Sequence, residues 1–227
     1  MKSVRRSSAA LAFSLLSLVL VAGCSTHQSQ TYAKSSKAGT YFTVPYGWQK
    51  ISQAALGKRE SLSTAQGAAD RASAVVWQEA YSPSDSITAA DVFSLHAPQS
   101  PITFVRVRSL LPDEVNAVSY NFLRDIFVPL TTWLNNSSDS SVSPLPMTHF
   151  SFIDEYEVAD KHSHGIRSVF SFTGSDGINQ TFDQSALVSD DRKTMYVLLV
   201  RSESSYYKKH SAQLSKIADS WTIRGAQ

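Results

Sequence analysis

Cysteine is almost absent from this sequence of 227 residues, since Cys24 is the only one. A single cysteine excludes an internal disulfide and a zinc cluster of several thiolates at fixed spacings. The sequence also lacks a strong excess of positive charge, because 21 Lys and Arg are set against 19 Asp and Glu. A net charge of +2 is far from the basic surface that nucleic-acid binding needs, so we expect no nucleic-acid partner.

The local motifs of common enzyme classes are also missing. The chain contains no GxxxxGK phosphate loop, no HExxH zinc-protease motif and no GxSxG nucleophile elbow. Serine is abundant, but an activated serine needs a positioned base, and no spacing in the sequence nominates one. We therefore expect no catalytic residue and no enzymatic activity. The 42% of hydrophobic residues nevertheless predicts an ordinary packed core.

Residues 1–23 have the pattern of a lipoprotein signal peptide. Its positive start consists of Lys2, Arg5 and Arg6. The apolar run that follows, residues 11–22, is shorter than the ~20 residues of a membrane-spanning helix. The run ends in Val21-Ala22-Gly23-Cys24, which resembles a bacterial lipobox, where cleavage leaves a cysteine that carries a diacylglyceryl group. We predict that Cys24 is lipidated and serves as a membrane anchor rather than as a catalyst.

A lipid on Cys24 places the mature chain outside the cytoplasm, on a bacterial membrane. Ser25 follows the cysteine, and in a Gram-negative cell this resembles proteins that are sent to the outer membrane. A Gram-positive cell offers the outer face of its plasma membrane instead. Residues 24–39 are polar and small, which predicts a lipidated flexible tether before a domain at residues 40–227.

Hydrophobic periodicity predicts an α+β domain whose central antiparallel sheet is flanked by helices. Strands are predicted at residues 41–44, 48–51, 74–81, 102–109, 149–158, 165–173, 178–188 and 194–201. Short connections make the last four an antiparallel meander. Helices are predicted at residues 88–96, 112–133 and 207–221, the second with a break or kink at Pro129.

Two finer features are expected within these strands. The first two strands enclose Pro45 and Gly47, which predicts a short hairpin or a bent strand. Alternation in the strand at 149–158 predicts a half-buried face. That face consists of Phe150, Phe152, Tyr156 and Val158.

Both ends of the domain resemble the PsbP and Mog-like family. The opening Tyr41-Phe42-Thr43-Val44-Pro45-Tyr46-Gly47-Trp48 resembles the first strand of that family. The apolar strand at 196–200, a helix and Asp219-Ser220-Trp221-Thr222-Ile223 resemble its close. The resemblance covers about residues 40–224 in element order. It implies an α/β/α sandwich that acts as a non-catalytic binding or assembly module without a cofactor. The matched positions are turn and core residues, so no functional residue is transferred.

The best candidate for a metal site is the pair His162 and His164. Alternate residues of an extended chain point to the same side, so the two imidazoles can share one ion. The alternative is a polar hairpin connection whose histidines face water. Short motifs of this kind are weak, so no metal is favoured.

Four arginines lie within predicted strands and are the candidates for a ligand site. They are Arg106, Arg108, Arg167 and Arg201. On one face of the sheet they can receive a carboxylate or a phosphate through their planar guanidinium groups. Exposed arginines on the solvent side of edge strands explain the same pattern.

Two functions rank above a third, an enzyme whose site is assembled from distant residues. The resemblance and the anchor together favour a membrane-tethered module that binds an envelope protein or supports an envelope assembly. The alternative is a lipoprotein that binds a lipid or a small ligand, with helices that leave a mostly apolar pocket of ~300 to 1,000 Å³ over the sheet. An exposed apolar patch favours the first function, and a filled core excludes the second.

Overall fold

The computed structural model describes residues 29–135 and 147–225, whose strands form two antiparallel sheets. The strands are β1 (Gln30–Ser35), β2 (Thr40–Pro45), β3 (Gln49–Ile51), β4 (Val75–Ser82), β5 (Ile102–Ser109), β6 (Thr148–Asp160), β7 (Ser163–Thr173), β8 (Asn179–Ser189), β9 (Thr194–Glu203) and β10 (Thr222–Ile223). The large sheet has the order β3-β4-β5-β9-β8-β7-β6, and the small sheet has the order β1-β2-β10. The predicted α+β class and the antiparallel meander of β6 to β9 are confirmed.

Helices lie between these strands. They are α1 (Gln53–Glu60), α2 (Ala68–Ser73), α3 (Ala89–Phe93), α4 (Pro112–Val115), α5 (Tyr120–Arg124), α6 (Leu130–Asn135) and α7 (Ser204–Asp219). The sequence interpretation did not include α1 and α2. For α3 it predicted the start correctly, because Thr88 and Asp91 form a capping box.

One face of the large sheet packs against α7 and the small sheet. Phe42 of β2 is fully buried there, with its ring centroid 6.4 Å from that of Trp77 and 5.9 Å from that of Tyr81. Leu214 of α7 and Leu198 of β9 belong to the same buried cluster. This face is therefore one continuous core.

The opposite face packs against the shorter helices. Its centre is an aromatic cluster in which the ring centroids of Phe170 and Phe182 are 5.5 Å apart and those of Phe172 and Phe182 are 5.1 Å apart. Leu56 of α1 and Leu130 of α6 are fully buried against this cluster. The central strand β9 is thus covered on both sides, as its apolar sequence predicts.

The predicted tether at 24–39 is wrong over most of its length. Residues from Gln30 onward form β1, which pairs antiparallel with β2, and Ala33 and Ala38 are buried. Backbone hydrogen bonds to β2 hold this polar segment, and a hydrophobicity pattern does not report such bonds. The domain therefore includes Gln30, whereas residues 24–28 lie outside the described part of the chain.

Of the two alternatives predicted around Pro45 and Gly47, a short hairpin or a bent strand, the hairpin is wrong. Gly47 adopts a φ of +86°, and the chain there passes from one sheet to the other. β2 pairs with β1 and β10, whereas β3 pairs with β4. The turn residues were predicted correctly, but the partners of the two strands depend on distant parts of the sequence.

The predicted helix at 112–133 is three short helices. Backbone helicity ends at Val115, and Ser119 starts a new helix by accepting a hydrogen bond from the backbone N–H of Phe122 at 3.2 Å. Pro129 separates the second helix from the third. The predicted apolar stripe of Val115, Val118, Phe122, Ile126, Leu130 and Trp133 still reaches the sheet, because Leu130 and Trp133 are buried.

The buried face predicted for β6 is wrong at two of its four positions. Phe152 is 40% exposed and Tyr156 is 45% exposed, while Phe150 and Val158 are partly buried. β6 is an edge strand of the described sheet, and its pairing with β7 contains two bulges. Each bulge adds a residue and shifts the alternation of sides, so a strict period of two fails.

Candidate functional site

A cleft of about 330 Å³ lies on the face of the large sheet that carries the short helices. We call it the arginine cleft. Its lining comprises Arg71, Val92, Phe93, Ser94, Leu95, Phe104, Arg106, Arg108, Ile126, Phe127, Phe182, Met195, Val197, Leu199 and Arg201. The lining contains four arginines and no acidic residue.

The floor of the cleft comes from alternate residues of β5 and β9. In register, Phe104 lies opposite Leu199, and Arg106 lies opposite Val197. Side chains at every second position point to one face, which brings these residues together. Arg201 stands at one end of this row, and Met195 stands at the other end. The two positions are six residue steps apart, so the floor is about 20 Å long.

Three of the four arginines predicted to share a face line this cleft. Arg106 and Arg108 alternate along β5, and Arg201 pairs with Ile102 at the start of that strand. Arg167 does not belong to the group. It lies beneath α7 on the opposite face, where its guanidinium binds both carboxylate oxygens of Asp183 at 2.6 Å.

Two of the arginines of the cleft are neutralised by carboxylates. Arg106 binds Glu60 of α1 at 2.5 Å, and its guanidinium carbon lies 5.1 Å from the centroid of the Phe104 ring. Arg108 binds both oxygens of Glu114, at 2.5 and 2.8 Å. These contacts fix α1 and α4 to the edge of the cleft.

Arg201 is the most buried cation of the cleft, with 1% of its surface exposed. Its guanidinium donates hydrogen bonds to the backbone carbonyls of Ser94, at 2.6 Å, and of Asp91. Within the described residues its Nε–H has no acceptor. Burial lowers the pKa of Arg201 to about 10, although the charge of Asp91 acts in the opposite direction. The side chain is thus a buried cation without a bonded carboxylate.

Arg71 is the member of the cleft that sequence reasoning missed. It lies on α2, a six-residue helix without an apolar stripe, and donates a hydrogen bond to the carbonyl of Gln66 at 2.9 Å. It also borders a neighbouring pocket of about 350 Å³, together with Arg59 and Glu60. No sequence signal connects this helix with β5.

The candidate histidine pair lies at the connection between β6 and β7. His164 is half exposed, and its Nδ1 lies 3.3 Å from an oxygen of Asp190. His162 is exposed on the adjoining turn. Across residues 29–135 and 147–225, no three His, Cys, Asp or Glu side chains are grouped so as to hold an ion. The geometry matches the polar hairpin connection.

The predicted anchor Cys24 lies outside the described residues. Among the residues that the structure describes, no helix has the length and apolar character needed to cross a membrane.

The protein is an α+β domain with a seven-stranded antiparallel sheet and a cationic cleft on one face. No protein-family model matches the chain, and no curated protein matches its sequence. Several solved structures are similar to it, three of which are described below, and the similarity concerns the fold alone.

Each of the three is aligned with 86% of this chain. Cyanobacterial PsbP from Synechocystis has a TM-score of 0.43 and 12% identity over 92% of its length. The Ran-binding protein Mog1p of Saccharomyces cerevisiae has a TM-score of 0.42 and 11% identity over 95% of its length. LpqN of Mycobacterium tuberculosis, which is involved in cell envelope biogenesis, has a TM-score of 0.43 and 10% identity over 90% of its length.

Proposed function

We propose that this chain is a lipid-anchored protein of the bacterial cell envelope whose domain binds a small, partly apolar ligand in the arginine cleft. The observation that carries this proposal is the open space between the sheet and the short helices. Its volume of about 330 Å³ lies within the ~300 to 1,000 Å³ of small-molecule sites. The space favours the ligand-binding alternative over a filled core.

The lining of the cleft supports a ligand with an apolar part. The floor residues Phe104, Phe182, Val197 and Leu199 are apolar and border the open space. Transfer of an apolar group from water to this floor is favourable by about 25 cal/mol for each Å² of apolar surface that is buried. Few polar groups border the floor besides the arginines, which is typical of sites that bind an apolar body and orient it by a polar contact.

The anchor proposal rests on the sequence around Cys24, and replacement of this cysteine tests it. In Cys24→Ala, we expect the precursor to keep its signal peptide and to incorporate no lipid, because no thiol is available to form the thioether. Mass spectrometry of the protein from bacterial membranes, with metabolic palmitate labelling, measures both effects. Ser25→Ala is the matched control and retains the lipid. A Cys24→Ala protein that still incorporates palmitate contradicts the proposal.

A second replacement tests the cleft. Ile126 is a partly buried lining residue on the helical side, so Ile126→Trp adds bulk to the cleft without changing the sheet. We expect it to lower the affinity for the ligand about tenfold, which corresponds to ~1.4 kcal/mol, and so to lower the fraction of protein with bound ligand. The measurement is native mass spectrometry of the chain from Ser25 onward, after incubation with a total lipid extract of the bacterial envelope.

The matched control for this experiment is Ile153→Trp, which makes the same change at a position on β6 that is 55% exposed. We expect this control to retain the ligand mass of the unchanged protein. A bare protein mass for the unchanged chain, or equal retention by Ile126→Trp, contradicts ligand binding in the cleft.

A second candidate function is protein binding through β6, which one observation favours. Within five residues this edge strand exposes three large apolar side chains, Phe152, Ile153 and Tyr156. Its acidic residues are Asp154, Glu155, Glu157 and Asp160, and it contains no Lys or Arg. An extended basic segment of an envelope protein fits such an edge by strand addition. With solubilised envelope proteins, a stoichiometric protein adduct that Ile126→Trp retains and Ile153→Asp loses supports this function.

A further inference from the structure

We propose that the ligand of the arginine cleft is an amphiphile with one anionic group, a carboxylate or a phosphate, which binds at Arg201 while its chain lies along the floor of the cleft. This inference rests on the proposed function and names the chemical class of its ligand. It follows from the charges that line the cleft, the burial of one of them and the direction of the floor.

The cleft has an uncompensated positive charge. Of its four arginines, Arg106 and Arg108 form ion pairs with Glu60 and Glu114. The other two, Arg71 and Arg201, have no carboxylate within 4.0 Å among the described residues. Positive potential in a cleft with low-dielectric walls attracts anions.

Arg201 is the position in the cleft at which binding of an anion is most favourable. Its guanidinium is bonded to the neutral carbonyls of Ser94 and Asp91 alone, and its buried Nε–H has no acceptor in the described chain. The charge of Asp91 acts on Arg201 without an ion pair. A buried cation without a bonded carboxylate is costly, so a charge brought to it by a ligand is favourable. Guanidinium groups match carboxylate and phosphate oxygens in geometry as well as charge.

The floor defines the rest of the ligand. From Arg201, the row of residues along β9 continues with Leu199, Val197 and Met195. Phe104 flanks this row from β5, and Phe182 flanks it from β8. A single chain of methylenes or a narrow aromatic body covers such a row, whereas a free phosphate leaves it unoccupied. The ligand is therefore an amphiphile rather than a small inorganic anion.

A structural role for Arg201 predicts a different result. Its hydrogen bonds to Ser94 and Asp91 hold the α3 segment against β9. If this role is the only one, loss of these bonds loosens the cleft and lowers the affinity for every ligand by the same factor. Selectivity between charged and neutral ligands with the same chain separates the two roles. A purely structural change does not alter that ratio.

The experiment measures the affinity of four probes by isothermal titration calorimetry, with the anionic amphiphiles below their micellar concentrations and the uncharged alcohol below its solubility limit. Laurate and dodecyl phosphate carry an anionic group, dodecanol carries a similar chain without charge, and inorganic phosphate carries the charge without a chain. The protein is the chain from Ser25 onward, which contains every described residue. We expect at least one of the anionic amphiphiles to bind about tenfold or more tightly than dodecanol, as hydrogen bonds to charged groups predict. The stronger of the two identifies the headgroup.

Two variants locate the anionic contact. In Arg201→Gln, we expect the preference for the anionic probe over dodecanol to disappear while dodecanol affinity stays the same. Arg71 lies on a short surface helix, so Arg71→Gln keeps the fold and serves as the second variant if Arg201→Gln does not fold. We expect it to reduce the same preference by a smaller factor. Arg224→Gln is the matched control, because Arg224 lies beside Tyr41 and away from the cleft.

The outcomes are distinguishable. Equal affinity for dodecanol and the anionic amphiphiles overturns this inference and leaves ligand binding in the cleft intact. If inorganic phosphate binds as tightly as dodecyl phosphate, the inference that the ligand is an amphiphile is wrong. An unchanged preference in both Arg201→Gln and Arg71→Gln overturns the assignment to these arginines. Absence of binding by all four probes overturns the inference together with the proposed function.

Discussion

Replacement of Arg167 by methionine is expected to destabilise the domain by about 3–5 kcal/mol, as removal of one partner of a buried ion pair does. Arg167 binds both oxygens of Asp183 at 2.6 Å, and Asp183 is 1% exposed. Without the guanidinium, the carboxylate of Asp183 remains buried without a counter-charge. The same arginine binds Asp219 at the end of α7 at 2.5 Å, so the variant also loosens this helix.

Urea denaturation followed by circular dichroism measures this effect. Lys193→Met is the matched control, because Lys193 forms an exposed pair with Asp191 at 3.6 Å, and we expect it to cost less than about 1 kcal/mol. The double variant Arg167→Met with Asp183→Leu removes both charges and is expected to recover much of the loss. A loss below about 1 kcal/mol for Arg167→Met itself contradicts the predicted role of this pair.

Replacement of Gly165 by alanine is expected to cost about 3 kcal/mol or more, or to prevent folding. A Cβ at this position lies 2.0 Å from the carbonyl oxygen of Ala186 and 2.6 Å from the Cα of Leu187. Both atoms belong to the backbone of β8, so no side-chain rotation relieves the contact. The strands β7 and β8 must separate in the middle of the meander.

The matched control is Gly57→Ala in α1, where an added Cβ has no heavy atom within 4 Å. Alanine is favoured over glycine in a helix by up to about 1 kcal/mol, so this variant is expected to stabilise the domain. Thermal unfolding measures both effects, and we expect the melting temperature to fall in Gly165→Ala and to rise in Gly57→Ala. A melting temperature of Gly165→Ala equal to that of the unchanged protein contradicts the close approach of β7 and β8.

The sequence predicts most of the large sheet because the majority of its strands are long and contain regularly placed apolar residues. β5 and the meander emerge from local patterns alone, and a spacing of two residues already places Arg106 and Arg108 on one face. Whether Arg201 or Arg167 joins that face depends on how β5, β9, β8 and β7 are aligned. That register is set by interactions between distant segments, so the pattern of a single strand does not reveal it.

Other features escape prediction for a different reason. β1 contains little apolar surface and is held by backbone bonds to β2, which every sequence can form. The stripe from Val115 to Trp133 reports which side chains face the sheet and does not report that the backbone is interrupted. Arg71 reaches the cleft from a helix without periodicity. Contacts of this kind are decided by tertiary packing.

The position of β1 limits how far the domain can stand from a membrane. Under the proposed lipid on Cys24, the six residues from the anchor to Gln30 span at most about 20 Å. β1 begins beside the turn after β2, where the backbone N–H of Tyr46 donates to the carbonyl of Ser29. The same end of the large sheet carries Arg201, through the pairing of β3 with β4, β4 with β5 and β5 with β9. Under the proposed anchor and the proposed ligand, the end of the cleft that carries Arg201 therefore lies at the end of the sheet nearest the membrane, and we expect an amphiphile that leaves the bilayer to have a short path through water.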